Sequence, residues 1–252
     1  AQLSFGRGRA VFAINRRALK DGRMVISVNP AGPVNHEVPV LRLTTPDGKL
    51  RAALFSYACH NTTLTQDNYQ YHGDYAGVAQ EEFEKAHPGA TALFMMGCGG
   101  DANPNPRNTM ELARTHGESL AQAIDKVLQG ALRPLGGPLR CAFERVGLPF
   151  GAPPSRDELQ KKLNDKDLYV QRHAKAMMET LDRVGKLPAD YPYPIQVLQL
   201  GKDLTLVALA GEVVVDYDIR LKRETGPPEK LWVAAYANDV FAYIASKRVI
   251  QE

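Results

Sequence analysis

Residues 38–63 read VPVLRLTTPDGKLRAALFSYACHNTT, and this stretch decides the fold. Two apolar runs, Val38–Leu43 and Leu50–Tyr57, flank the Pro46-Asp47-Gly48 turn, the pattern of two strands closed into a hairpin. Runs of the same kind recur at Ala10–Asn15, Thr91–Met96, Arg140–Leu148, Ile195–Leu200, Leu204–Ala210 and Leu231–Ala235. Amphipathic stretches between them predict helices over Tyr75–Ala86, Thr109–Gln129, about Arg156–Val184, and Val213–Glu224. The alternation is that of an α/β domain: a mixed β-sheet core flanked by helices, antiparallel in part because Gly201-Lys202-Asp203 also makes a tight turn. The charged stretch at about 151–190, bounded by Pro149, Pro154 and Pro188, reads as a helical insertion in a single domain spanning 1–252. It is too short to build a core of its own.

Composition narrows the function classes. The chain has 252 residues, 44% hydrophobic and 23% charged, so it can bury a sizeable core and is not disordered. Lys plus Arg is 31 against 28 for Asp plus Glu, and a net charge of +3 gives no reason to expect a nucleic-acid partner. No apolar run approaches the ~18 residues of a transmembrane helix, and Ala1–Arg9 lacks the apolar stretch of a signal peptide. Cys59, Cys98 and Cys141 match no zinc or redox spacing and read as ordinary buried thiols. The absence of Met at position 1 points to a processed or cut chain, which leaves an exported parent open.

Chemistry-bearing residues collect where strands end. Leu50–Tyr57 runs into Ala58-Cys59-His60-Asn61-Thr62-Thr63, and a Tyr/Gln-rich loop then leads to His72-Gly73-Asp74 before a helix. Asp74 reads either as a partner of this site or as the N-cap of that helix. Thr91–Met96 leads into Gly97-Cys98-Gly99-Gly100-Asp101-Ala102-Asn103, whose glycines allow close backbone approach and whose Asp101 and Asn103 offer polar contacts. It lacks the Gly-Lys-Ser/Thr ending of a phosphate loop. Leu204–Ala210 ends at Gly211-Glu212, where the acid is either exposed or offset by a cation. Leu231–Ala235 ends in a Tyr/Asn/Asp cluster, Tyr236-Ala237-Asn238-Asp239. His36, His87, His116 and His173 read as structural, and at most one of Arg16 and Arg17 should point into a site. There is no Gly-x-Ser-x-Gly elbow, so a metal-independent serine hydrolase is disfavoured.

Taken in order, Asn15-Arg16, Ala58-Cys59-His60-Asn61-Thr62, Gly73-Asp74-Tyr75-Ala76-Gly77, Gly100-Asp101-Ala102-Asn103-Pro104-Asn105, Gly211-Glu212 and Asn238-Asp239-Val240-Phe241-Ala242-Tyr243-Ile244 resemble the catalytic domain of the neutral/alkaline non-lysosomal ceramidases. The set covers essentially the whole chain. The resemblance implies the ceramidase catalytic-domain fold and a Zn2+-dependent amidase acting on a small-molecule or lipid amide. It implies His60, Glu212 and Tyr243 as zinc ligands, and Arg16, Asp101 and Asn103 in the catalytic machinery. His72, Asp74, Asn238 and Asp239 would lie behind them or against substrate. A second family histidine would precede Ala1 and a further tyrosine would follow Glu252, so the chain reads as a fragment truncated at both ends, from a secreted or periplasmic parent.

One position departs from the family pattern. Asn103 stands where the family carries a serine proposed as nucleophile, and an amide side chain cannot attack a carbonyl. Metal-activated water is then the expected route. The alternative is a non-catalytic lipid- or carbohydrate-binding descendant of the same scaffold.

Overall fold

A computed structural model describes residues 1–252. Its strands are β1 (Gln2–Arg9), β2 (Ala13–Lys20), β3 (Arg23–Asn29), β4 (Glu37–Thr44), β5 (Leu50–Tyr57), β6 (Thr91–Met96), β7 (Ala102–Pro104), β8 (Arg133–Leu135), β9 (Leu139–Pro149), β10 (Asp190–Leu200), β11 (Leu204–Leu209), β12 (Glu212–Val213), β13 (Leu231–Ala234) and β14 (Tyr243–Ile244). The helices are α1 (Asp74–Ala86), α2 (Met110–Gln129), α3 (Arg156–Lys162), α4 (Leu168–Val184), α5 (Val215–Glu224) and α6 (Lys247–Gln251). No helix is long and apolar enough to cross a membrane. The chain divides into two units, residues 144–194 and the remainder.

In the larger unit the predicted hairpin forms: β4 and β5 pair antiparallel across the Pro46-Asp47-Gly48 turn. It sits inside a mixed five-stranded sheet of order β6-β5-β4-β1-β8, with β5 and β6 parallel. The expected α/β architecture is therefore present. Val38, Val40, Ala53, Phe55 and Tyr57 of this sheet are buried together with Tyr75, Ala79 and Phe83 of α1 and Leu120, Ile124 and Val127 of α2. A second sheet has the order β13-β11-β10-β9, β10 and β11 being antiparallel and β11 and β13 parallel. The parallel pairs bring the ends of β5, β6, β11 and β13 to the same side of their sheets, which is where the polar loops gather.

Four sequence readings are corrected. Cys59 and Cys98 are buried as expected, but Cys141 is exposed, because it sits on β9, a strand exposed along nearly its whole length. The strand expected at Ala10–Asn15 begins at Ala13 and continues to Lys20, in a small sheet of order β3-β2-β7. The helix expected at Val213–Glu224 begins at Val215, because residues 212–213 pair with β14 instead. In the smaller unit, the helix expected at about Arg156–Val184 is two: α3 starts with a Ser155/Glu158 capping box, and α4 starts anew with Asp167 accepting from the Tyr169 N–H.

Candidate functional site

His60 is fixed twice to one acceptor. Its backbone N–H donates to the Ala102 carbonyl at 3.0 Å, and its ring Nδ1 lies 3.0 Å from the same oxygen. A carbonyl only accepts, so Nδ1 carries the proton and Nε2 presents a lone pair. Nε2 lies 3.2 Å from Glu212 Oε2 and 3.0 Å from the Tyr236 hydroxyl. Arg16 Nη2 approaches the same Glu212 oxygen at 3.6 Å. A lone pair and a carboxylate thus face each other, an arrangement relieved by a donor or a cation placed against them. A proton on His60 is a poor choice: burial, then the Arg16 charge, lower its pKa.

The loop after β6 packs against the main chain on both sides of this pair. A Cβ on Gly99 would lie 2.5 Å from the Cys59 nitrogen, and one on Gly100 would lie 2.6 Å from the Glu212 carbonyl oxygen. Gly100 N–H donates to the Val213 carbonyl at 2.9 Å. The loop is wedged between the His60 and Glu212 segments, in contact with both. Gly100→Ala should therefore cost roughly 1–3 kcal/mol and displace Glu212. A denaturant midpoint equal to that of the unmodified protein would refute this close contact.

Asp101 lies beneath the site and is fully buried. Its Oδ1 accepts from the Val215 N–H at the start of α5, and its Oδ2 accepts from Asn15 Nδ2 at 3.1 Å and Arg248 Nη2 at 3.0 Å. Burial raises its pKa, against the pull of the Val215 N–H and then of Arg248. Its backbone carbonyl accepts from the Arg16 N–H at 2.8 Å. Arg16 extends toward Glu212 and Asn103, whose Oδ1 is 3.5 Å from Arg16 Nη1 and 3.4 Å from the Thr62 hydroxyl. Arg17 donates to Glu252 at 2.9 Å and lies beside Tyr243, so Arg16 is the arginine of the pair that approaches Glu212.

Tyr243 stands directly opposite Glu212 in the parallel β12–β14 pair. Its hydroxyl is buried, and the Arg17 guanidinium lies beside it. Burial, then the Asp101 carboxylate, raise its pKa against Arg17 and Arg16. The donor chemistry fits zinc, which accepts an imidazole nitrogen together with carboxylate and phenol oxygens. No third His, Cys, Asp or Glu joins the pair to make a metal-binding group.

The remaining sequence candidates make the following contacts. His72 is exposed, and its Nδ1 accepts from the Asp74 N–H at 2.8 Å. Asp74 accepts from the Leu64 and Tyr75 N–H groups, tying the loop down; α1 starts at Asp74 itself, with Gly73 as its cap position. Asn238 is exposed and donates to Gln196, and the Asp239 backbone carbonyl accepts from the Gly211 N–H at 2.8 Å. His87 has an acidic partner that the sequence did not reveal, Asp125 at 2.8 Å. His116 is buried, 2.7 Å from the Pro106 carbonyl, and stacks on Phe12.

Tyr236 and Arg248 are the site residues that sequence reasoning passed over. Tyr236 belongs to the strand-end cluster but carries no distinguishing motif. Its φ of 57° and the φ of 66° at Asn238 mark a strained turn. Arg248 binds Asp216 through both carboxylate oxygens, at 2.7 and 3.0 Å, as well as Asp101.

The fold, with the site placed at its strand ends, is that of the ceramidases. Neutral ceramidase from Pseudomonas aeruginosa matches 100% of this chain and 48% of its own, at a TM-score of 0.69 and 18% identity. A ceramidase complexed with C2 matches 96% of this chain and 47% of its own, at 0.69 and 17%. The chain thus spans about half the length of these structures. No family model and no curated protein matches the sequence. At this identity the likeness shows the fold, and it bears out the resemblance carried by the six motifs.

Proposed function

We propose that this chain carries the site of a zinc-dependent hydrolase acting on the N-acyl bond of a small-molecule or lipid amide. His60, Glu212 and Tyr243 would hold the metal. The observation that carries the reading is the approach of His60 Nε2 to the Glu212 carboxylate, 3.2 Å apart at two strand ends. When bound, zinc supplies a water whose pKa falls to about 7 and polarises the scissile carbonyl. Arg16, anchored through its backbone to Asp101, aims its guanidinium at the same space and would stabilise negative charge growing on the carbonyl oxygen. Asn103 holds no nucleophile; its amide orients Arg16 and Thr62. Ala102, by accepting from Nδ1, keeps the His60 tautomer whose Nε2 is free to bind. The parent protein is proposed to work in the periplasm or outside the cell.

The test is metal analysis of the protein as encoded, followed by turnover of N-acyl amides and esters. About one zinc per chain with amide hydrolysis supports the proposal. A metal-free protein that binds lipid or carbohydrate without turnover supports the non-catalytic reading, for which the absence of a nucleophile at Asn103 speaks.

A pH effect follows. Folded His60 binds its proton more weakly than an exposed imidazole of pKa 6.5. The stability it contributes is in place above that value and is lost as pH falls through the depressed folded value. The thermal midpoint of the metal-free protein should therefore drop on acidification through this range, and His60→Gln should flatten the drop. Equal slopes for the two proteins would contradict the assignment.

A further inference from the structure

One arginine on the loop that pins His60 has no acid to answer it. Arg107 follows Ala102 and Asn103 on that loop, and it is only partly exposed. Its Nε is enclosed by protein and has no hydrogen-bond partner. Arg16 meets Glu212, Arg17 meets Glu252, and Arg248 meets Asp101 and Asp216, whereas Arg107 enters no ion pair. A guanidinium drawn partly out of water without a counter-charge is costly, and an anion is what offsets it. The main chain around it is tied down on both sides. Asn105 N–H donates to the Phe12 carbonyl at 2.8 Å, the His116 ring lies 2.7 Å from the Pro106 carbonyl, and Asn108 N–H donates to the Thr63 carbonyl at 2.7 Å. Thr63 is fully buried, and its hydroxyl also lacks a hydrogen-bond partner, so the loop offers Arg107 no acceptor there. Only three residues separate Thr63 from His60, a span of at most about 11 Å. The Cys59 thiol, next to His60, feels the same cation: burial and then Asp74 push its pKa up, and Arg16 and Arg107 pull it back.

We propose that Arg107 binds a carboxylate on the substrate, and that the amide cleaved is therefore an N-acyl amino acid. The inference deepens the hydrolase reading and rests on it. The short span to His60 sets the carboxylate within a few bonds of the scissile amide. The amine half of an N-acyl amino acid carries its charge there, and the far end of an acyl chain does not. A guanidinium fork also matches a planar carboxylate of one negative charge. A phosphate monoester, at roughly −1.5 to −2, would call for a second free cation, and Arg16 is already engaged by Glu212.

N-octanoylglycine and N-octanoylglycinamide differ in that charge and serve as the probes. Isothermal titration calorimetry on the metal-free protein measures their binding, and release of octanoic acid by the zinc-loaded protein gives kcat/KM. The acid is expected to bind at least roughly tenfold more tightly than the amide, with the margin shrinking as salt is added. Arg107→Gln is expected to erase the margin in both measurements, and Arg107→Lys to keep part of it. Equal binding of the two probes by the unmodified protein, binding of neither, or a margin that survives Arg107→Gln overturns the inference; octanoic acid release then leaves the hydrolase reading standing. A binding margin lost in Arg107→Gln, with no turnover of either probe, upholds the carboxylate site and overturns the hydrolase reading instead. A thermal midpoint matching that of the unmodified protein establishes that each variant is folded.

Discussion

His60→Ala is expected to strip the protein of zinc and to lower amide turnover by at least about a thousandfold, on the order of 4 kcal/mol of transition-state stabilisation. The expectation comes from the geometry of one nitrogen. Nε2 lies 3.2 Å from Glu212 Oε2, so on the proposed reading its loss takes away one of the three donors that would hold the cation. Glu212→Ala should act in the same direction for a different reason. It leaves Arg16 facing Nε2 without the carboxylate that offsets its charge, and a cation would then meet a cation. Metal content by elemental analysis and kcat/KM on an N-acyl amide measure both effects. Full zinc occupancy with undiminished turnover in either variant would remove the residue from the ligand set.

The largest effect on stability is expected at Asp101. Asp101→Ala removes the acceptor of the Val215 N–H, of Asn15 Nδ2 and of one Arg248 nitrogen, all at a position with no solvent access. Breaking a buried charge-paired network in this way costs about 3–5 kcal/mol, because the partners stay buried or half-buried without a counterpart. Arg248 retains Asp216, which softens the loss on its side. The Val215 N–H has no such reserve, and α5, whose cap residue Val214 makes no side-chain hydrogen bond, would lose the carboxylate that caps its first turn. Urea or guanidinium denaturation of the variant measures the change, and a midpoint within experimental error of the unmodified protein would refute the network's role. Zinc affinity should fall as well, since the Asp101 main chain carries Arg16 and its neighbour Ala102 fixes His60.

How much of this was legible in the sequence depended on how local each signal was. Leu50–Tyr57 and Thr91–Met96 were read to the residue because unbroken apolar runs bounded by turns need no tertiary help. The two-residue strands at Glu212–Val213 and Tyr243–Ile244 left no such trace, since thirty residues separate partners that only the folded chain brings side by side. Residues 23–29 form a strand though their alternation is weak, because the chain folds back on β2 across Asp21-Gly22. Asn164-Asp165-Lys166-Asp167 breaks the third predicted helix through side-chain caps that outbid its periodicity. At the site, His60, Glu212 and Arg16 stood out by chemical type at strand ends. Tyr236 did not, because a tyrosine after a strand is ordinarily packing, and only coordinates reveal its left-handed backbone.

The glycine wedge between residues 58–60 and 212–213 fixes the two main chains, not the two side chains. Peptide planes hold residues 60 and 212 at a set spacing and a main-chain oxygen pins the imidazole, while the Glu212 carboxylate keeps its own torsions. On the proposed reading, a change of ion would be met by the carboxylate swinging and not by the imidazole moving.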